Sequence, residues 1–135
     1  MEYNRPKVGL AVCIVKDGKV LMCQRKKSYN EHLWSFPGGH LELFETWEDC
    51  AKRESFEETG IQIKNVKFIT CTNDICVEDN THYITINMLA DYDMGEVQLK
   101  ESEEHECWEW FNWDNLPKDL FFNTENFLKT GFRPY

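Results

Sequence analysis

The chain has 135 residues, of which 15 Lys and Arg stand against 24 Asp and Glu for a net charge of -9, with 41% hydrophobic and 14% aromatic content. These numbers exclude two full domains and a disordered acidic tail, so one domain over residues 1–135 is expected. No apolar run is long enough to span a bilayer, residues 1–6 carry no apolar signal segment, and the negative charge opposes binding to duplex DNA or anionic membrane, so a cytoplasmic protein is expected.

In chain order, Val8 to Val15 is almost wholly apolar and is followed by Asp17-Gly18 and then Lys19 to Arg25, the pattern of a hairpin with a buried first strand. Residues 26–36 lose periodicity and read as a loop closed by a sharp turn at Pro37-Gly38-Gly39. Thr46, with Asp49 three residues on, starts a helix that runs without Gly or Pro to Thr59 and stops at Gly60. Strands are predicted over 66–71, 82–89 and 106–111, with residues 91–106 as an acidic surface loop and a short helix from Phe121 to Thr130. The order predicts an α+β fold with a helix packed on a mixed sheet. Trp108, Trp110 and Trp113, with Phe111 opposite, read as sheet packing.

The six cysteines lie in apolar or mixed runs and are expected to be buried thiols. Cys71 and Cys76 lack a partner pair at zinc spacing.

The chemistry concentrates between Gly39 and Ile61. On a helix, Glu54 and Glu58 fall four residues apart, and Glu57 sits three beyond Glu54, so three carboxylates crowd one side of a turn. Their mutual repulsion, and the helix dipole near the C-terminal end, make the arrangement costly unless a cation is present. Arg53 can pair with Glu57, and Glu45 can fold back toward the cluster from the preceding loop. Hard divalent cations, Mg²⁺ first among them, suit such oxygen ligands; the alternative is a solvated acidic face.

The spacing Gly39-x5-Glu45-x7-Arg53-Glu54-x2-Glu57-Glu58-x-Gly60-Ile61 resembles the signature of the Nudix hydrolases. Phe36-Pro37-Gly38-Gly39-His40-Leu41-Glu42, His82-Tyr83-Ile84-Thr85 and Trp108-Glu109-Trp110 extend the likeness to the MutT-related branch, toward enzymes that accept guanine nucleoside triphosphates, oxidised and thiolated ones included. Ser55 departs from it, standing where that family usually has an aliphatic residue, which weakens packing under the helix.

The resemblance implies a Nudix fold, a mixed β-sheet sandwiched between α-helices, and a homodimer. It also implies Mg²⁺-dependent hydrolysis of a nucleoside triphosphate to monophosphate and pyrophosphate, with Mn²⁺ as a substitute metal. Glu54, Glu57, Glu58 and the Gly39 carbonyl become the expected ligands, with Glu57, or a loop residue such as Glu101, Glu103 or Glu104, as general base, and Arg53 orienting Glu57 or Glu45. Phe36, Thr85, Phe122 and Asn123 match base-pocket positions of that branch, and Ser35 is a further polar group able to read a base edge.

Arg25, ahead of Lys26 and Lys27, is the expected phosphate contact, and His40 either meets a phosphate or caps the glycine turn. Other readings are a nucleotide sugar, dinucleoside polyphosphate or capped RNA as substrate, or a nucleotide sensor without turnover.

Overall fold

The computed structural model describes residues 4–25, 32–98 and 105–135, without the side chains of residues 105 and 106. Its elements are β1 (Lys7–Lys16), β2 (Lys19–Arg25), β3 (Trp34–Ser35), β4 (Gly38–His40), α1 (Trp47–Thr59), β5 (Gln62–Cys76), β6 (Thr81–Met94), β7 (His105–Asn112) and α2 (Phe122–Leu128). The main sheet runs β3-β2-β1-β6-β5, with β4 paired to β1 and β7 to β2. β1 and β6 are parallel and the other pairings antiparallel, which makes the sheet mixed.

Strand alternation divides the core. Leu10, Val12 and Ile14 of β1 point to the same face as Ile86, Met88 and Ala90 of β6, where Cys50 and Ala51 of α1 cover them. Cys13, Val20, Met22 and Phe36 point the other way and pack under Phe127 of α2 and Trp113. The sheet therefore lies between α1 and α2, each of its inner faces buried at about 2 kcal/mol per large side chain.

The β1–β2 hairpin turns at Asp17 and Gly18, both at positive φ (50° and 76°), as a two-residue turn matched to strand twist requires. In α1, Thr46 accepts the Asp49 backbone N–H, and Gly60 closes the C-terminus at φ 81°.

Five segments depart from the sequence reading, the first being the expected loop at 26–36, in which Trp34 and Ser35 form β3 against β2. The glycines at 38 and 39 form β4 instead of a sharp turn, because β1 runs so close that a side chain at 38 would strike the Leu10 carbonyl. The expected strand at 66–71 is the middle of a longer β5, whose pairing shifts at Gln62/Ile63, Lys64/Lys67 and Phe68/Thr70, with Asn65 at φ 53°. Such bulges interrupt the period-two pattern on which sequence reading depends. Residues 91–94, expected as loop, continue β6. The terminal helix is shorter than expected and begins after Phe121.

Cys13, Cys23 and Cys50 are buried, but Cys71, facing outward on the edge strand, is exposed, and Cys76 and Cys107 are half-buried; all six are free thiols. Trp108 and Trp110 pack against the α1 side of the core and Trp113 and Phe111 against the other, as sheet packing requires.

Candidate active site

Arg53 organises the acidic end of α1. Its Nε donates to Glu45 Oε2 at 2.7 Å and its Nη2 to Glu45 Oε1 at 2.9 Å, a two-pronged grip that suits the guanidinium plane. Nη1 donates to Glu54 Oε1 at 2.7 Å and to Glu57 Oε2 at 3.2 Å. Nη2 also donates to the His40 carbonyl at 3.1 Å, which ties the helix to the end of β4. Glu45 therefore folds back onto the cluster, and Arg53 meets both carboxylates that the sequence suggested for it.

The hydrogen bonds from Arg53 hold the Glu45 carboxyl down to about 2. Glu54 moves the other way. Burial pushes its pKa above the ordinary carboxylate range, although Arg53 opposes the shift. Glu54 lies directly under Gly39, where any Cβ would collide with its carboxylate. Glu58 accepts the Gly38 N–H at 3.3 Å. The second glycine of β4 thus leaves space for one carboxylate, and the first supplies a backbone donor to another.

Among the described residues no three His, Cys, Asp or Glu side chains are drawn together around one point. Arg53 bonds Glu45, Glu54 and Glu57, and the Gly38 N–H bonds Glu58 instead. The donor set still suits a hard divalent cation: oxygen ligands only, with Glu54 carrying an unrelieved burial penalty that such a charge would remove. Glu57, more than half exposed, projects into solvent beside it.

A cavity of about 260 Å³ reaches this cluster at Glu58, while Glu45, Arg53, Glu54 and Glu57 do not line it. Gly38, Gly39, His40, Phe36, Thr85, Phe121 and Asn123 line it together with Glu58. Arg25 sits on its rim, the guanidinium 4.4 Å from the centre of the Phe121 ring, and Ser35 also lines it. His40 is fixed by stacking on Tyr83, with Nε2 3.0 Å from the tyrosine hydroxyl, so it forms a wall of the cavity.

Of the residues singled out from sequence, Arg25, Phe36, Gly39, His40, Glu58, Thr85 and Asn123 share this cavity, while Phe122 does not line it: its neighbour Phe121, at the helix N-cap, does. Lys26, Lys27, Glu101, Glu103 and Glu104 lie outside the described residues. A larger cavity, of about 610 Å³, lies between residues 4–7 and the β5–β6 turn. It contains no member of the acidic cluster, so the smaller one is the candidate site.

Sequence reading missed Tyr83, Phe121 and, behind the cavity, Asp74. The signal for Asp74 was present as polar residues at alternate positions, Thr70, Thr72 and Asp74, but it lay beyond the expected end of the strand.

The NUDIX domain profile matches residues 4–130. The chain is 34% identical over 112 residues to an NAD-capped RNA hydrolase, NudC, from Haemophilus influenzae, covering 81% of this chain and 40% of that protein. It is 33% identical over 131 residues to an ADP-ribose pyrophosphatase from Methanocaldococcus jannaschii, covering 97% of this chain and 76% of the relative. Among solved structures, a MutT NUDIX hydrolase from Burkholderia pseudomallei superposes with a TM-score of 0.85 at 31% identity, covering 93% of this chain and 98% of that one.

Proposed function

This chain belongs to the NUDIX family, and we propose that it hydrolyses the pyrophosphate linkage of a nucleoside diphosphate derivative with a divalent metal as cofactor. The observation that carries the reading is that one cavity is lined both by Glu58 with Gly38 and Gly39 and by Phe36, Phe121, Thr85 and Asn123. An apolar slot with a few polar edges suits a base, and the acidic end suits phosphates neutralised by metal.

Glu54 and Glu58, with Glu57 and the Gly39 carbonyl, would hold Mg²⁺, or Mn²⁺ in its place. When bound, the metal supplies charge neutralisation at the phosphate oxygens and acidifies water. The chain's own residues do the rest. Arg53 keeps Glu45 ionised and fixes the side chains of Glu54 and Glu57. Glu57, exposed and held by one bond to Arg53, is free to take a proton from water. Arg25 contributes a fixed positive charge at the rim, and Phe36 and Phe121 wall the slot in which the base stacks.

The group beyond the pyrophosphate is a sugar or a capped RNA end, the reading supported by the likeness to the NAD-capped RNA hydrolase and the ADP-ribose pyrophosphatase. The chain spans 40% of the length of that RNA hydrolase, so the comparison supports the bond cleaved more than the whole substrate. A second reading is a nucleoside triphosphate cut to monophosphate and pyrophosphate, with guanine as base; the cavity, at about 260 Å³, is small for a ligand pocket. A homodimer belongs to this reading and is checked by light scattering.

A substrate panel with Mg²⁺ tests the assignment. ADP-ribose yielding AMP and ribose 5-phosphate supports the first reading, and pyrophosphate released from a triphosphate supports the second. Orthophosphate alone overturns the bond assignment. Glu57→Gln is expected to lose most turnover while remaining folded, and undiminished activity in EDTA refutes the metal.

A further inference from the structure

Asp74 is almost wholly buried, yet its hydrogen-bond partners are neutral. Its Oδ2 accepts from the hydroxyls of Thr72 (3.1 Å) and Thr85 (2.5 Å), and its Oδ1 accepts from Asn126 Nδ2 at 2.9 Å. Thr72 pairs with Thr85 across β5 and β6, and Asp74 follows on the same face of β5. Asn126 belongs to α2, one turn beyond Asn123.

A hydroxyl has a single proton to donate. That of Thr85 goes to Asp74, so the Thr85 oxygen meets the cavity only as an acceptor. Asn123 directs its Nδ2 toward the same oxygen at 3.5 Å, which leaves its carbonyl oxygen for a ligand. Both polar groups of this wall are thereby set to accept.

We propose that Asp74 is a positioning residue that fixes the hydrogen-bond polarity of the base slot, so that the slot selects bases carrying an exocyclic amino group. The inference rests on the proposed function for the identity of the ligand class, a purine nucleotide, and its test reads affinity so that it does not depend on turnover.

In Asp74→Asn, the Asn126 amide donates to the new carbonyl oxygen, and the new amide group faces Thr72 and Thr85. Thr85 then receives a proton from residue 74, and its own proton turns toward the cavity. Thr85 changes from accepting to donating, while the Asn123 carbonyl still accepts.

The experiment is calorimetric titration with GMP and with IMP, which differ by the 2-amino group. The native protein is expected to bind GMP about tenfold more tightly, the worth of one good neutral hydrogen bond. Asp74→Asn is expected to bring the ratio to unity or below. Because both affinities are measured on one preparation, a reduced folded fraction cancels from the ratio. Thr72→Val, which disturbs the same buried cluster without touching Thr85's bond to Asp74, is expected to keep it.

Equal affinities in the native protein, or a tenfold ratio that survives Asp74→Asn, would overturn the proposal. Should Asp74→Asn fail to fold, the native protein decides. The Thr85 hydroxyl is expected to keep donating to Asp74 when GMP binds, and a turn of that hydroxyl proton toward the ligand in NMR spectra would overturn the assignment. Absence of hydrolysis with a preserved GMP preference would instead sink the proposed function alone.

Discussion

The molecule holds carboxylates in two opposite ways. At α1, Glu54 and Glu57, with Glu45 from the loop ahead of the helix, share one cation, Arg53, at a partly exposed surface. Behind the cavity, Asp74 is buried and satisfied by two hydroxyls and an amide. The first arrangement is strained by repulsion and leaves lone pairs for a further cation; the second accepts three hydrogen bonds from neutral donors within the core. A shared cation makes a site that can exchange partners, whereas neutral donors make one that fixes the direction of protons.

Four substitutions or conditions break or sharpen this contrast. The largest effect is expected for Glu54→Gln, which keeps the shape and removes the half-buried charge. Turnover on the best substrate should fall about 10³-fold, a loss of the size seen when one electrostatic contact to the reacting group is removed, with little change in the urea midpoint. A turnover within a few-fold of the native value would remove Glu54 from the site.

Asp74→Ala is expected to act on stability instead. It strands the Thr72, Thr85 and Asn126 donors and should cost about 3 kcal/mol in urea unfolding. A cost below about 0.5 kcal/mol, the level of an ordinary surface substitution, would show that the network is not structural.

Next is the pH dependence of Glu45. Its folded pKa is depressed from the ordinary 4.5 to about 2, so its contribution to stability is complete above 4.5 and is lost as pH falls from there toward 2. The stability difference between the native protein and Glu45→Gln should accordingly be constant from pH 5 to 7 and shrink below about 4.5. A difference that grows on acidification would reverse the assignment.

The smallest effect is a gain. Ser55 is fully buried and its hydroxyl has no hydrogen-bond partner among the described residues, so Ser55→Ala should raise stability by about 1 kcal/mol. A loss would mean that the hydroxyl has a partner after all.

The two regions also differ in how far sequence reveals them. The acidic cluster is local: its residues fall within two turns of a helix whose start, Thr46, and stop, Gly60, are both marked by capping chemistry. One-dimensional spacing therefore carries almost all of its geometry, including the reach of Arg53 to Glu57 and the return of Glu45. The buried network joins β5, β6 and α2, and depends on a register displaced by three irregularities. No spacing rule predicts which of several polar residues meet after such shifts. The proposed base slot is intermediate. Phe36, Thr85 and Asn123 were legible, whereas Phe121 displaced Phe122 because a helix boundary differing by one residue rotates which ring faces the cavity.

The space above Glu54 has a practical corollary for anyone scanning this protein by mutation. Position 39 contributes no side chain, yet Gly39→Ala would score as severely as loss of a ligand, since the new methyl group occupies the volume of a carboxylate. The defect is one of crowding, so shortening the neighbour with Glu54→Asp is the natural suppressor, and a pair of individually harmful changes would partly cancel.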